Sequence, residues 1–393
     1  MRQHKIPAVY MRGGTSKGMF FKAEDLPADS HKRDLLILRS LGSPDPYGIQ
    51  IDGIGDANPT TNRVVLVSKS YRDDCDVDFI CGQVAIDTPT IDWSGNFANL
   101  AAAVGPFAIS EDLCDAPAEG IATVRMWQAA IGKKIVVHVP MHGGEVVEEG
   151  DFVDDGVAFP AAQIRMEFLD PAAEDLIAPE NMSHSGLFPT GNPHDLLTIA
   201  PGDTIEVTLV DAGNPTVFVL AEALGLTATE TKEAIDNDAA LLARMESIRA
   251  AAAVAMGIAQ SPEEATTLHP QRPKLAFIAE PTEYTASNGR TITSDHVDVL
   301  ARMVSLQTLH HALPGSGAIA LAVAAAFPGT LVHRIVGSHD LLRPVRIGHT
   351  SGTLAISAEA SDASGGWRVT KAVMSRSARR LMSGWVYVPG KIP

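Results

Sequence analysis

Two alanine-rich segments constrain this chain more than any other feature in it. The first, DWSGNFANLAAAVGPFAI at residues 92–109, runs from a Ser-Gly-Asn turn into LAAAV and is expected to close at Gly105-Pro106. The second, PGSGAIALAVAAAFP at residues 314–328, repeats the plan and ends at another proline. A helix with small, uncharged residues on every side suits the middle of a domain, where walls approach from all directions. Its free N–H groups and positive dipole end would also make an anion site. Two ordinary buried helices would read the same way. Neither segment is long enough to span a bilayer.

A second repetition gives the two segments a frame. Residues 9–26 (VYMRGGTSKGMFFKAEDL) align without gaps on residues 207–224 (VTLVDAGNPTVFVLAEAL), with Val9, Phe20, Ala23, Glu24 and Leu26 matching identically. Both read as strand, polar turn, strand and an A-E-x-L exit, and each is followed by a Gly/Ser turn and an alanine-rich segment. Order repeats as well as composition, which points to two similar domains from a duplication. The expected division is 1–190 and 191–393, with the last strand, near residues 385–388, free to return to the first domain. Residues 170–203, rich in Pro, Asp, Ser and Gly, read as the crossover.

Between these landmarks the chain alternates. HKRDLLILRSLG reads as a short helix, Val64 to Val67 as a strand, DVDFICGQVAID as a half-buried strand, and TVRMWQAAIGKKIVVHVPM as a hairpin turning near Gly132. In the second half, TATETKEAIDNDAALLARMESIRAAAAVAMGIA has helical spacing and KLAFIAEP reads as a strand. SDHVDVLARMVSLQTLHHAL reads as a helix, and SRSARRLMSGWVYVP as a short helix with a last strand. His138 and His142 share a strand face, but Pro140 and the absence of a third ligand favour a solvated edge over a metal site. RGGTSKG lacks the order of a phosphate loop, since Lys17 precedes the last glycine.

A net charge of −16 argues against nucleic acid and anionic membrane surfaces, so any anionic ligand must be gripped locally. Cys75, Cys81 and Cys114 form no C-x-x-C pair and leave an odd thiol, which favours a reducing, cytoplasmic setting.

The motifs together resemble the PrpF family. They are RGGTSKG, SPDPY followed by IDG, VDF followed by GQV, SGN leading to VGPFAI, LHHA before a Gly/Ser turn, and HTSGTL followed by VTKAVMSRSARRLM with WVYVP. The resemblance covers nearly the whole chain. It implies an α+β, diaminopimelate-epimerase-like fold, with two similar domains that each wrap a mostly antiparallel, barrel-like sheet around a central helix. It also implies a cofactor-independent isomerase or tautomerase of a small unsaturated di- or tricarboxylate, such as methylaconitate, aconitate or oxalomesaconate. The ligand is expected in the cleft between the domains. Ser16, Lys17, Asn96, Ala98 and Asn99 would bind it from one side, and Ser316, Gly317 and Ala318 from the other. A homodimer is left open.

Family members use a lysine and a cysteine as proton-transfer candidates. Here the lysine position falls on Arg63 and the cysteine position on Phe97, with Ala98 in place of the following glycine; Asp56 and Pro59 also depart from the pattern. Arginine stays charged at ordinary pH, making it a poor base but a good clamp for a carboxylate or enolate. Phenylalanine transfers no proton. Asp56, Cys81, His310 and His311 are the side chains available for a relocated pair, and Lys69 reads as a strand exit. Three readings follow: an isomerase with a relocated proton-transfer pair, a decarboxylase or hydratase on the same scaffold, or a catalytically silent polycarboxylate binder.

Overall fold

A computed structural model describes residues 3–58, 60–172, 186–338, 343–363 and 366–390. Pro59 and residues 173–185 of the expected crossover lie outside the described residues. The chain divides into two compact units, one of Met1–Phe168 with Ser375–Pro393 and the other of Leu169–Met374. The division thus falls earlier than residue 190. The reason is strand pairing: Ile135 pairs with Phe168 inside the first unit, so the chain is still part of that sheet there.

In the first unit, β1 (His4–Gly13) and β2 (Ser16–Lys22) form the expected hairpin, turning on Gly14 and Thr15. Gly14 has φ +50°, a left-handed conformation that costs glycine nothing. The helix α1 (Ser30–Leu41) is capped by Asp29, whose carboxylate accepts from Lys32 N–H at 2.9 Å. Next, β3 (Arg63–Lys69) adds parallel to β2, and β4 (Val77–Val84) adds antiparallel to β3. The alanine-rich α2 (Ala98–Ser110) follows. A hairpin of Gly120–Gln128 and Lys133–His142 then continues the sheet, its first strand parallel to β4.

This sheet curls around α2. A Cβ added at Gly105 would lie 2.4 Å from Val137 Cγ2, while one at Gly13 of β1 would lie 2.7 Å from the Asn99 carbonyl. Phe107 of α2 meets Phe20 of β2 with ring centroids 5.4 Å apart. Strands distant in the sheet order therefore touch one helix. The stop expected at Gly105-Pro106 does not occur, and the helix runs on to Ser110 with Pro106 inside it. Proline removes one helical bond and crowds the preceding turn. Here the turn before it, Ala102 to Gly105, is made of small residues, and the helix is buried through Ala108.

The second unit repeats the plan. Asp203–Ala212 and Asn214–Leu220 form its hairpin. Asn214–Leu220 then pairs parallel with Lys274–Ala279, which pairs antiparallel with Val299–Ser305. That strand pairs parallel with Val345–His349, and the latter antiparallel with Gly352–Ala363. The first unit has the same alternation of antiparallel and parallel pairings. The buried helix also falls at the same place: α2 follows β4, and Gly315–Ala326 follows Val299–Ser305. The duplication is one of topology, and the expected α+β plan of two similar sheets around central helices is the observed one. The hairpin tips differ by one residue, since Gly13 pairs with Ser16 but Ala212 with Asn214.

Three further expectations change. SDHVDVLARMVSLQTLHHAL is not a helix: Val299–Ser305 is an interior strand, with Val299 to Val304 buried on both faces. The run VLARMV, buried along its length, gives no period by which to separate the two. SARRLM is not a helix either, because Ala378–Val388 is one strand that pairs with β1 along nearly its whole length. Inside the expected crossover, Asp195–Ala200 is a strand paired with Asp203–Ala212.

Candidate functional site

The first residue of β3 is Arg63, and its cross-strand neighbour on β4 is Gln83. Arg63 Nε donates to Gln83 Oε1 and its Nη1 to Ser16 Oγ, each at 3.2 Å. Phe97 is the residue that caps α2, and the Arg63 guanidinium carbon lies 4.4 Å from its ring centroid. The residues at the family's lysine and cysteine positions are therefore in contact. The far end of the Phe97 ring rests against Gly95, where an added Cβ would come within 2.5 Å of Cζ.

Burial pulls Arg63 down to about 10, with Cys81 acting against that shift. The guanidinium thus remains a cation at neutral pH. Cys81 lies on the same strand face as Gln83, two residues away, and is fully buried. Burial pushes its thiol up to about 12 despite the charge of Arg63. A buried, protonated thiol takes no proton from a substrate at neutral pH.

Ser16 and Lys17 point to opposite faces of β2, as successive strand residues do. Ser16 joins Arg63, whereas Lys17 Nζ pairs with Asp56 at 3.2 Å and lies 5.8 Å from the Tyr10 ring centroid. Lys17 and Asp56 are thus brought together with each other. At the start of α2, Ala101 N–H bonds the Phe97 carbonyl, so the first-turn N–H groups ahead of the ladder are those of Ala98, Asn99 and Leu100. Asn96 is buried just before the cap. Asn99 Nδ2 donates to Thr15 Oγ1 at 2.9 Å, tying the helix start to the hairpin tip.

The second unit ties its helix in the same way: Asn214 Nδ2 donates to Ser316 Oγ at 2.8 Å. Gly317 must lack a side chain, because a Cβ there would fall 2.3 Å from Met303 Cε. Ala318 does not offer its N–H to a ligand as expected, since it already bonds the Pro314 carbonyl at 2.9 Å. The first-turn groups are those of Gly315, Ser316 and Gly317. His310 and His311 lie not on a helix but just after the short Thr308–Leu309 strand. Their carbonyls accept from the Thr350 and Ser351 hydroxyls. Burial, with the charge of Lys232, lowers the pKa of His311, which keeps its imidazole neutral at neutral pH.

The sequence reading missed Gln83 and Gly95. Gln83 becomes legible only once the β3–β4 register is known. It also missed the Asp154 carboxylate, which accepts from Arg376 at 3.0 Å, and Arg12, which donates to the carbonyls of Gly14 and Ser377 at 3.0 Å. His138 and His142 each meet a glutamate, Glu167 and Glu119. No group of three or more metal-ligating side chains occurs among the described residues.

The chain is similar to known proteins along nearly its whole length. A 2-methyl-aconitate isomerase of Cupriavidus necator is 50% identical over 395 residues, covering 99% of this chain and 98% of its own length. Another, of Shewanella oneidensis, is 48% identical over 98% of each chain. Among solved structures, a methylitaconate-delta-isomerase superposes with a TM-score of 0.81 at 38% identity, over 99% of this chain and 96% of that one. The family described as PrpF protein matches residues 3–389. With the family model matching residues 3–389 and relatives about half identical along both chains, the chain belongs to the PrpF family.

Proposed function

We propose that this protein is an isomerase that shifts a double bond or proton within a small unsaturated tricarboxylate of the 2-methylaconitate kind. The observation that carries the reading is Arg63, a half-buried cation 3.2 Å from Ser16, in a chain half identical to a 2-methyl-aconitate isomerase. In such a reaction a base removes a proton from the carbon next to a carboxylate or allylic to the double bond. The electron pair then delocalises into the carboxylate as a dienolate, and a proton returns at another carbon, so nothing is gained or lost. Arg63 supplies the fixed positive charge that the dienolate requires, at no cost of solvent reorganisation. The base comes from groups able to take a proton at neutral pH. Burial removes Cys81 from that set.

A second reading, a silent binder of polycarboxylates, is favoured by one observation: neither Arg63 nor Phe97 transfers a proton at neutral pH. Incubation of the protein with 2-methylaconitate and cis-aconitate in heavy water, followed by NMR and mass spectrometry, separates the readings. Isomerised product carrying deuterium supports the isomerase. A mass change from lost carbon dioxide or added water points to altered chemistry, and binding without product supports the silent binder.

A further inference from the structure

Why phenylalanine and arginine stand together at these two positions is answered by what each touches. The guanidinium lies over the face of the Phe97 ring, while the ring's far end abuts Gly95. Its bonds to Gln83 and Ser16 use neutral acceptors at 3.2 Å, near the long end of the hydrogen-bond range. A planar cation over an aromatic face gains an attraction that an aliphatic side chain of similar size does not offer, and the gain grows as water is excluded. A guanidinium lying flat on the ring would keep its edge, where the N–H groups are, directed sideways. That edge is the part of arginine that grips a carboxylate through two parallel bonds.

We propose that Phe97 is a positioning residue that holds the Arg63 guanidinium with its edge presented to a substrate carboxylate, and that Gly95, a glycine the PrpF pattern already supplies, leaves the room the ring needs. The departures at Arg63 and Phe97 are then one unit. A cysteine offers no face on which arginine can stack, and a lysine, a point charge, gains no fork from the stack. This rests on the carboxylate-binding role proposed above for Arg63. The alternative is that Phe97 only fills space, in which case a leucine serves equally well.

A double-mutant cycle tests the unit. The probe is tricarballylate, a saturated tricarboxylate that cannot isomerise, titrated by calorimetry into the wild type, F97L, G95A, R63A and R63A/F97L. The expected result is a loss of affinity of about tenfold for F97L and for G95A. R63A should lose at least as much, and adding F97L to R63A should cost nothing further. G95A removes no atom and keeps both partners, so it carries the test if F97L fails to fold by thermal denaturation. Affinities of F97L and G95A within about twofold of wild type, or losses that multiply in R63A/F97L, overturn the unit and leave the proposed function standing. A wild type that does not bind tricarballylate overturns the carboxylate role of Arg63 and the positioning role with it. Intact, non-additive binding without any turnover upholds the unit and sinks only the isomerase reading.

Discussion

The Arg376 guanidinium donates to the Asp154 carboxylate at 3.0 Å, and both side chains are only 2% exposed. Asp154 also accepts from Ser377 N–H at 3.1 Å, and the Ser377 carbonyl accepts from Gly14 N–H at 2.8 Å. A buried charge pair therefore stands behind the hairpin tip that carries Thr15 and Ser16. Replacing Asp154 by alanine strands the Arg376 charge in the interior. We expect a loss of about 3–5 kcal/mol in unfolding free energy, measured by urea denaturation. Asp154→Asn keeps the shape and an acceptor and should lose less. A midpoint unmoved by Asp154→Ala would show that the pair is not stabilising.

Gly18 lies beside Arg63 on the adjoining parallel strand, and a Cβ there would come within 2.6 Å of the Arg63 carbonyl oxygen. Backbone cannot yield as a side chain can. Gly18→Ala should therefore destabilise by about 1–3 kcal/mol and weaken carboxylate binding as Arg63 moves. Gly384→Ala, where nothing lies within 4 Å, is the control. Equal melting temperatures for the two variants would refute the close approach.

Restoring the family's lysine and cysteine should change chemistry as well as contacts. We expect R63K/F97C/A98G to create or raise isomerisation of 2-methylaconitate by about 10²–10⁴-fold, the usual worth of a positioned acid or base. Phe97 is only half-buried, so the cavity left by its removal should cost less than the 3–5 kcal/mol typical of a core phenylalanine. Proton exchange and product NMR read the gain once the folded fraction is known. A wild type already running at the triple variant's rate would mean that side chains other than those at positions 63 and 97 carry the protons.

The lowered pKa of His311 gives a pH dependence with a definite sign. Burial, then Lys232, disfavours the imidazolium, so the folded value lies below the ordinary 6.5. Between the two values the unfolded chain holds more protons than the folded one, and stability falls as pH drops through that window. His311→Gln should remove this loss, flattening the thermal-denaturation midpoint between pH 7 and the acid limb. If His311 also acts as base, kcat/KM of the wild type should fall with acid in the same window. Parallel stability curves for wild type and His311→Gln would show the imidazole uncoupled from folding.

Much of this molecule was legible before its structure. The hairpin at residues 9–26, its copy at 207–224 and both buried helices came from local pattern, because polar turns and all-round small residues leave few alternatives. The contact of Arg63 with Phe97 was not legible, since it joins a strand start to a helix cap through the sheet's curl. Val299–Ser305 and Ala378–Val388 were misread for a related reason. Their conformation is imposed by neighbouring strands, and VLARMV or SARRLM taken alone is compatible with a helix. His311 was found as a residue, but its neutral state depends on burial and on Lys232, which is distant in sequence.

The pairing of Ala378–Val388 with β1 has a consequence for how the protein is made. Arg12 and Ser377, which hydrogen-bond to each other, are 365 positions apart. On the ribosome β1 emerges long before Ala378–Val388, so its outer edge has no partner until that strand leaves the exit tunnel. The unit that begins first is thus completed last, after all of Leu169–Met374 has been synthesised. Throughout that interval the nascent chain carries an open strand edge of the kind that recruits other chains. Premature termination anywhere before residue 378 should therefore yield aggregates rather than a soluble first unit, and translation speed over the second half becomes a determinant of yield.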